Sequence, residues 1–319
     1  MRSVPSVHRY KICPETPMTD TATRIQLPPP SRRPRDEEID TYGLTHPGKV
    51  RPDNQDHFLI GQLRGRLAVK ASSLPSIHNL PLEEDRIGSF MMVADGVGGG
   101  QKGERASRIA LEEVTLYINE AARCYYRAAD RDGDFLHALE RTARRVHEAV
   151  VEHAASDPDA VGMATTLTLL ILVWPWSYVL QVGDSRYYRY SNGVLEQVSR
   201  DQTLAQALVD QGIMSKTLSE KSPLSNVLIS SLGGQQSAPV VTRMENTWEH
   251  VHLLCSDGLT RHVSDERIAE RLANMQSARQ VCEALLQDAL DAGGSDNITI
   301  LVGRPVPGDA DEGPPGRCA

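Results

Sequence analysis

The run Met91-Met92-Val93-Ala94-Asp95-Gly96-Val97-Gly98-Gly99-Gly100 constrains this chain more than any other stretch. An apolar segment ends on a carboxylate and glycines follow at once. A strand here carries Asp95 to its C-terminal tip. Gly96 lets the backbone turn where a side chain would block it, so that a carbonyl can face the same point as the carboxylate. The arrangement recurs at Leu253-Leu254-Cys255-Ser256-Asp257-Gly258 and, in varied form, at Gly294-Ser295-Asp296-Asn297-Ile298-Thr299. Singly, Asp-Gly and Asp-Asn pairs make ordinary turns. Three acids at strand edges in distant segments point instead to one oxygen-lined site, of the kind that Mg2+ or Mn2+ prefers.

The 319 residues are 40% hydrophobic and 24% charged, and the net charge is -8. A normal core can be buried, and the acidic balance argues against an extended nucleic-acid surface, which needs a basic face. The longest apolar stretch, Leu167 to Val173, is strand-sized, closed by Trp174-Pro175 and too short to span a membrane. The N-terminus lacks the apolar segment of a signal peptide. Five cysteines, an odd number without C-x-x-C spacing, read as reduced thiols. The expectation is a cytoplasmic monomer with no membrane or nucleic-acid partner. Zinc is disfavoured because no Cys/His cluster has ligand spacing.

Residues 1–38 are rich in Pro, Thr, Ser and Arg and are expected to be a disordered tail. A second tail is expected over 305–319, leaving one domain at 39–304. Within it, hydrophobic periodicity predicts strands at 57–60, 90–94, 165–173, 178–182, 240–244, 250–255 and 298–302. A hairpin is predicted at 187–198 around Asn192-Gly193. Helices are predicted at 103–122, 135–155, 204–211, 265–272 and 278–292, with an irregular polar segment at 212–226. Helices come in pairs and strands in runs. That order predicts an α+β fold, a four-layer α-β-β-α sandwich of two mainly antiparallel sheets flanked by helix pairs. The acids then fall at one edge of the sandwich.

Gly98, Gly100 and Gly103 spell the glycine pattern of a dinucleotide site. A second long helix follows where that fold needs a strand, and Asp95 would repel a pyrophosphate. A Walker loop fails because Gly103, not Ser or Thr, follows Lys102. Arg51, in Arg51-Pro52-Asp53-Asn54-Gln55-Asp56, is a natural phosphate clamp beside such acids, since its planar fork matches two phosphate oxygens. Paired metals acidify a water that can attack phosphorus in line, with no covalent enzyme intermediate. No Cys-based or Ser/His nucleophile motif is evident.

At these residues the chain resembles the metal-dependent protein phosphatases of the protein phosphatase 2C type, in their bacterial form. The matching pieces include the 51–56 segment, Val93 to Gly99, Gly103-Glu104-Arg105-Ala106-Ser107 and Gly162-Met163-Ala164-Thr165-Thr166-Leu167. Val182-Gly183-Asp184-Ser185-Arg186, Leu232-Gly233-Gly234, Cys255 to Thr260 and Ser295 to Thr299 complete the ordered set. The resemblance implies that Asp95 bridges two tightly bound ions, Mn2+ or Mg2+, with the Gly96 carbonyl on the second. By the same resemblance Asp257 and Asp296 hold the first ion, and Arg51 grips the substrate phosphate. Asp56 stands behind the ligands and orients the attacking water. Asp184 belongs to a weak third metal position that Asp257 also touches, and 212–226 corresponds to a flap beside the site.

Two departures matter. The family pattern has an acid four residues after the Asp of Asp-Gly-Leu, where this chain has Arg261; a cation there should weaken the third ion. Gly100 replaces the His that often follows the Gly-Gly pair in bacterial members. The 61–89 segment is longer than in minimal members and is expected to extend a hairpin or cover a sheet edge. A surface or capping role is expected for His262 rather than that of general acid, and Cys255 is expected to be a small core residue. The resemblance implies phosphorylated protein substrates and a cognate Ser/Thr kinase. A non-catalytic binding module on the same fold, and a two-metal nuclease or small-molecule phosphoesterase, are the competing readings.

Overall fold

The computed structural model describes residues 9–11, 32–64, 67–73, 86–98, 101–127 and 132–307. Strands β1 (Arg9–Lys11), β2 (Ile39–His46), β3 (Asp56–Arg64), β4 (Leu67–Ser72) and β5 (Arg86–Val97) precede a long helical pair, α1 (Gln101–Arg127) and α2 (Asp132–Ser156). Then come β6 (Ala164–Thr165), β7 (Leu167–Val173), β8 (Trp176–Val182), β9 (Arg186–Ser191) and β10 (Val194–Gln197). Two short helices follow, α3 (Leu204–Asp210) and α4 (Lys216–Glu220), and then β11 (Val240–Glu245) and β12 (Val251–Cys255). The chain closes with α5 (Asp257–Thr260), α6 (Asp265–Ala273), α7 (Ala278–Asp291) and β13 (Ile298–Pro305).

The strands form two sheets, ordered β1-β10-β9-β12-β13-β2 and β11-β8-β7-β5-β3-β4, with β6 paired to the end of β5. Every pairing is antiparallel. Alternation along each strand sorts side chains onto opposite faces. Phe58, Ile60, Met91, Val93, Leu170, Tyr187, Leu254 and Leu301 interdigitate between the sheets. Leu59, Phe90, Met92 and Ala94 point the other way, into a core shared with Ala106, Val114, Leu139 and Val146 of α1 and α2. Leu253, Cys255 and Ile300 pack outward against Ile268, Val281 and Leu285 of α6 and α7. These three apolar layers make the predicted four-layer sandwich, and Cys255 is a buried core residue with its thiol pushed up to about 12 by burial.

The Asn192-Gly193 hairpin forms as predicted, with φ of 51° and 78° at its two turn residues. Strand β2 escaped the periodicity reading. All eight of its residues are only partly buried, so no clean alternation marks it. Two elements fall inside the segment expected to be a tail. Strand β1 adds to the free edge of β10, and residues Asp36–Glu38 form a single 3-10 turn. Arg32 anchors that stretch: it pairs with Glu38 at 2.7 Å, stacks over Trp248, and its carbonyl accepts the Trp248 indole N–H at 2.8 Å. Similarly, β13 runs through Pro305, the first residue of the expected C-terminal tail. The segment 212–226 is not irregular: α4 starts at its N-cap Ser215, and Pro223–Asn226 form another 3-10 turn. Strand β4 extends the β3 edge as a hairpin, and residues 74–85 of that insertion lie outside the described residues. Among the described residues no helix is long and apolar enough to cross a membrane.

Candidate metal centre

Register alone brings the acids to one end of the sandwich. Asp56 opens β3 directly opposite Asp95 on β5. Strand β12 ends at Cys255, opposite Ile300 of β13 and Arg186 of β9. Asp257 therefore emerges beside Asp296, which precedes β13, and beside Asp184, in the β8–β9 connection. One expectation needs correcting. Asp95 does not sit at the tip of its strand, because β5 continues through Gly96 and Val97, which pair with Thr165 and Ala164. Thr165 and Thr166 hold Asp95 by its backbone: the Thr165 hydroxyl donates to the Asp95 carbonyl at 2.8 Å, and the Asp95 N–H donates to the Thr166 hydroxyl at 3.0 Å. Gly96 must be glycine because a Cβ there would stand 2.2 Å from the Gly103 carbonyl oxygen at the start of α1.

Asp56 is 1% exposed. Its Oδ2 accepts hydroxyl protons from Ser256 and Thr299, both at 2.7 Å, and its Oδ1 is buried without a partner. These bonds tie the two sheets together at the site. Burial drives the Asp56 carboxyl up to about 7, against the pull of both hydroxyls, with Asp257 and Asp296 adding repulsion. Asp95 is pushed well above the usual carboxylate range, by burial first and then by Asp56, Asp257, Asp184 and Asp296. Burial likewise raises Asp184, helped by Asp257 and Asp201 and opposed by Arg261 and Arg186. Asp257 is raised by burial, and Arg261 offsets part of that. A cluster of carboxylates that repel one another in a poorly solvated place calls for positive charge.

Arginines supply some of it. Arg51 forks onto Asp296, Nε to Oδ1 at 2.8 Å and the terminal nitrogen to Oδ2 at 2.9 Å. Arg261 donates to Asp257 Oδ2 and lies 3.6 Å from Asp296 Oδ2. Among the described residues no three His, Cys, Asp or Glu side chains already stand in a ligating arrangement. The donor set nonetheless fits a hard divalent cation: the donors are all oxygen, the acids repel one another, and one buried carboxylate oxygen has no partner. Such an ion would be held by Asp95, the Gly96 carbonyl, Asp257 and Asp296, with Asp184 to one side.

Several supporting residues were not singled out by the sequence reading. Asn297 fastens the loop that carries Arg51. Its amide donates to the Pro47 and Asp53 carbonyls at 3.0 and 2.8 Å, and its Oδ1 accepts the Gln55 N–H at 2.9 Å. Ser256 and Thr299 lie inside the matched segments 255–260 and 295–299, each within three residues of an acid, and that placement is the signal the sequence offers for them. His262 accepts the Ser295 N–H at Nε2 at 2.9 Å. A polar cleft of about 510 Å³ opens beside the acids, between α4 and the 257–266 segment, with Asp184, Lys216, Asp257 and Arg261 on its walls.

The chain is similar to known proteins in both sequence and fold. The protein phosphatase 2C family model matches residues 82–293. The serine/threonine protein phosphatase PstP of Mycobacterium tuberculosis is 32% identical over 213 residues, covering 67% of this chain and 40% of that protein. The chain thus spans well under half the length of that relative. The serine/threonine phosphatase stp of Listeria monocytogenes is 32% identical over 214 residues, covering 67% of this chain and 83% of that protein. The crystal structure of the catalytic domain of a serine/threonine protein phosphatase PstP with two manganese ions superposes with a TM-score of 0.65 at 27% identity, covering 84% of this chain and 99% of the other.

Proposed function

This chain belongs to the protein phosphatase 2C family, and from that premise we propose that it removes phosphate from phosphoserine and phosphothreonine in proteins, using Mn2+ or Mg2+. Two bound ions supply the acidification of water and the charge neutralisation that direct attack on phosphorus requires. The single observation that carries the reading is the convergence of Asp56, Asp95, Asp184, Asp257 and Asp296 on one charge-coupled cluster beside an arginine fork.

The chain's own residues divide the work. Asp95, Gly96, Asp257 and Asp296 hold the ions, and Asp184 borders a weaker third position. Arg51 stands more than half exposed at the rim. It exchanges its fork from Asp296 to two phosphate oxygens, an arrangement its planar donors match. Asp56 keeps one oxygen fixed by Ser256 and Thr299 and leaves Oδ1 to orient water or hold a proton. The activity opposes a Ser/Thr kinase, in the cytoplasm, and the chain acts as a monomer. The mycobacterial and listerial relatives named as serine/threonine phosphatases support the substrate class. A purely binding module has no use for buried acids that raise one another's pKa.

The test is dephosphorylation of a phosphothreonine peptide with and without Mn2+, by wild type and by Asp257→Asn. The variant is expected to lose about a hundredfold or more in rate, beyond what loss of a supporting group costs. Equal rates for the two proteins would remove Asp257 from the chemistry.

A further inference from the structure

Arg51 and Arg261 both pair with acids assigned to the metal, and only Arg51 has a part in the chemistry proposed above. Arg261 directly follows α5, and its N–H closes the helical turn on the Asp257 carbonyl at 2.9 Å. That turn places its side chain over Asp257, four residues back. Its terminal nitrogens reach Asp257 Oδ2 and approach Asp296 Oδ2, and the Asp184 charge attracts it further. The side chain is 34% exposed, so it is mostly covered but has a path to solvent. The family resemblance set Arg261 against a third, weak ion. Its ion pairs are with Asp257 and Asp296, the two carboxylates assigned above to the first.

We infer that Arg261 is a resident counter-cation of the acid cluster, which gathers Asp257 and Asp296 before metal arrives and competes with metal for them. The inference rests on the proposed reading, under which those two carboxylates hold the ion. Close carboxylates need a cation to stay close, and a guanidinium supplies one positive charge with directed donors. A dication supplies more charge but meets carboxylates that already have a partner. Metal loading is then an exchange, in which the guanidinium moves toward the polar cleft as the ion enters. Arg261 lowers metal affinity by the strength of the ion pairs it gives up, and in return it keeps the metal-free site assembled. Arg51 differs, since its fork is given up to a substrate phosphate.

Calorimetric Mn2+ titration of the 319-residue wild type, Arg261→Met and Arg261→Lys tests this, together with melting of each in EDTA. An opposite charge this close shifts a carboxylate's affinity for a proton by about 1–3 log units, and its affinity for a metal should shift on the same scale. Arg261→Met is therefore expected to bind Mn2+ about tenfold tighter and to melt below wild type in EDTA. Arg261→Lys should fall between the two. Equal or weaker Mn2+ binding by Arg261→Met overturns the inference. If that variant does not fold, a crystal structure of the Mn2+-loaded wild type decides. A guanidinium clear of both carboxylates supports exchange, and one still bonded to both overturns it. Asp257→Asn in the same titration separates the premise: wild-type Mn2+ affinity there overturns the ligand assignment itself, whatever Arg261 does.

Discussion

Asp56 carries two hydroxyl donors on one oxygen and none on the other. That asymmetry makes it a poised group and an expensive one. Ser256→Ala leaves Thr299 alone on Oδ2, and urea titration at neutral pH is expected to show a loss of about 1–3 kcal/mol, the cost of stripping a buried acceptor. A loss within about 0.5 kcal/mol, the range of an ordinary surface change, would show that the second donor is dispensable. Gly258, like Gly96, is a residue at which the site has no slack. A Cβ there would stand 1.9 Å from the Asn297 carbonyl oxygen, which is backbone and cannot swing aside. Gly258→Ala is expected to cost about 1–3 kcal/mol or more by overpacking, read as a lower melting temperature. An unchanged melting temperature would mean that β13 can shift to accommodate it.

The elements around the site matter through how they hold loops. The segment between β2 and β3 carries Arg51 and is tied down by the three hydrogen bonds of Asn297. Asn297→Ala removes them together and frees the arginine's backbone without touching its side chain. The expected result is a rise in KM for phosphopeptide larger than the fall in kcat, because the phosphate grip loosens while the acids stay in place. A fall in kcat with KM unchanged would place Asn297 in the acid cluster instead. Strand β5 shows why local pattern misled at Asp95. The apolar run ends there, yet the backbone stays extended because β6 offers Gly96 and Val97 a partner. Element α4 was legible after all, since Ser215 is a plain N-cap three residues ahead of an N–H it accepts, that of Leu218.

Proton linkage acts on the whole molecule. Burial raises Asp56 from 3.8 to about 7 in the folded protein. Between those values the folded state keeps a proton that the unfolded chain has released. The stability tied to it is complete below about pH 4 and is gone once pH passes about 7. Half-buried His250 and buried His252, lowered to about 4 and about 3, act in the opposite sense, since folding keeps them neutral while the unfolded chain charges them. Comparing wild type with Asp56→Asn in EDTA cancels the histidines. The variant's margin over wild type is expected to grow by on the order of 2–3 kcal/mol between pH 5 and pH 8, measured by calorimetric melting. A difference independent of pH would mean that Asp56 titrates near its ordinary value. With saturating Mn2+ the wild type should gain stability with pH, because ligating carboxylates must be deprotonated.

Much of this molecule was present in local order. Apolar periodicity marked most strands and the long helices, and the Asn192-Gly193 turn marked a hairpin, because those signals depend on neighbours within a few residues. The acids at Asp95, Asp257 and Asp296 were legible for the same reason, each following or preceding an apolar run. What the chain could not announce depends on distance in space. Ser256 and Thr299 meet Asp56 across 200 and 243 positions. Strand β1 exists only because β10 has a free edge, and Arg51 lies on Asp296 because β2 and β13 are paired. Arg261 showed in sequence as a misplaced cation. Only the folded geometry decided which carboxylates it would meet, because partner choice among clustered charges follows separation and burial, and order along the chain sets neither.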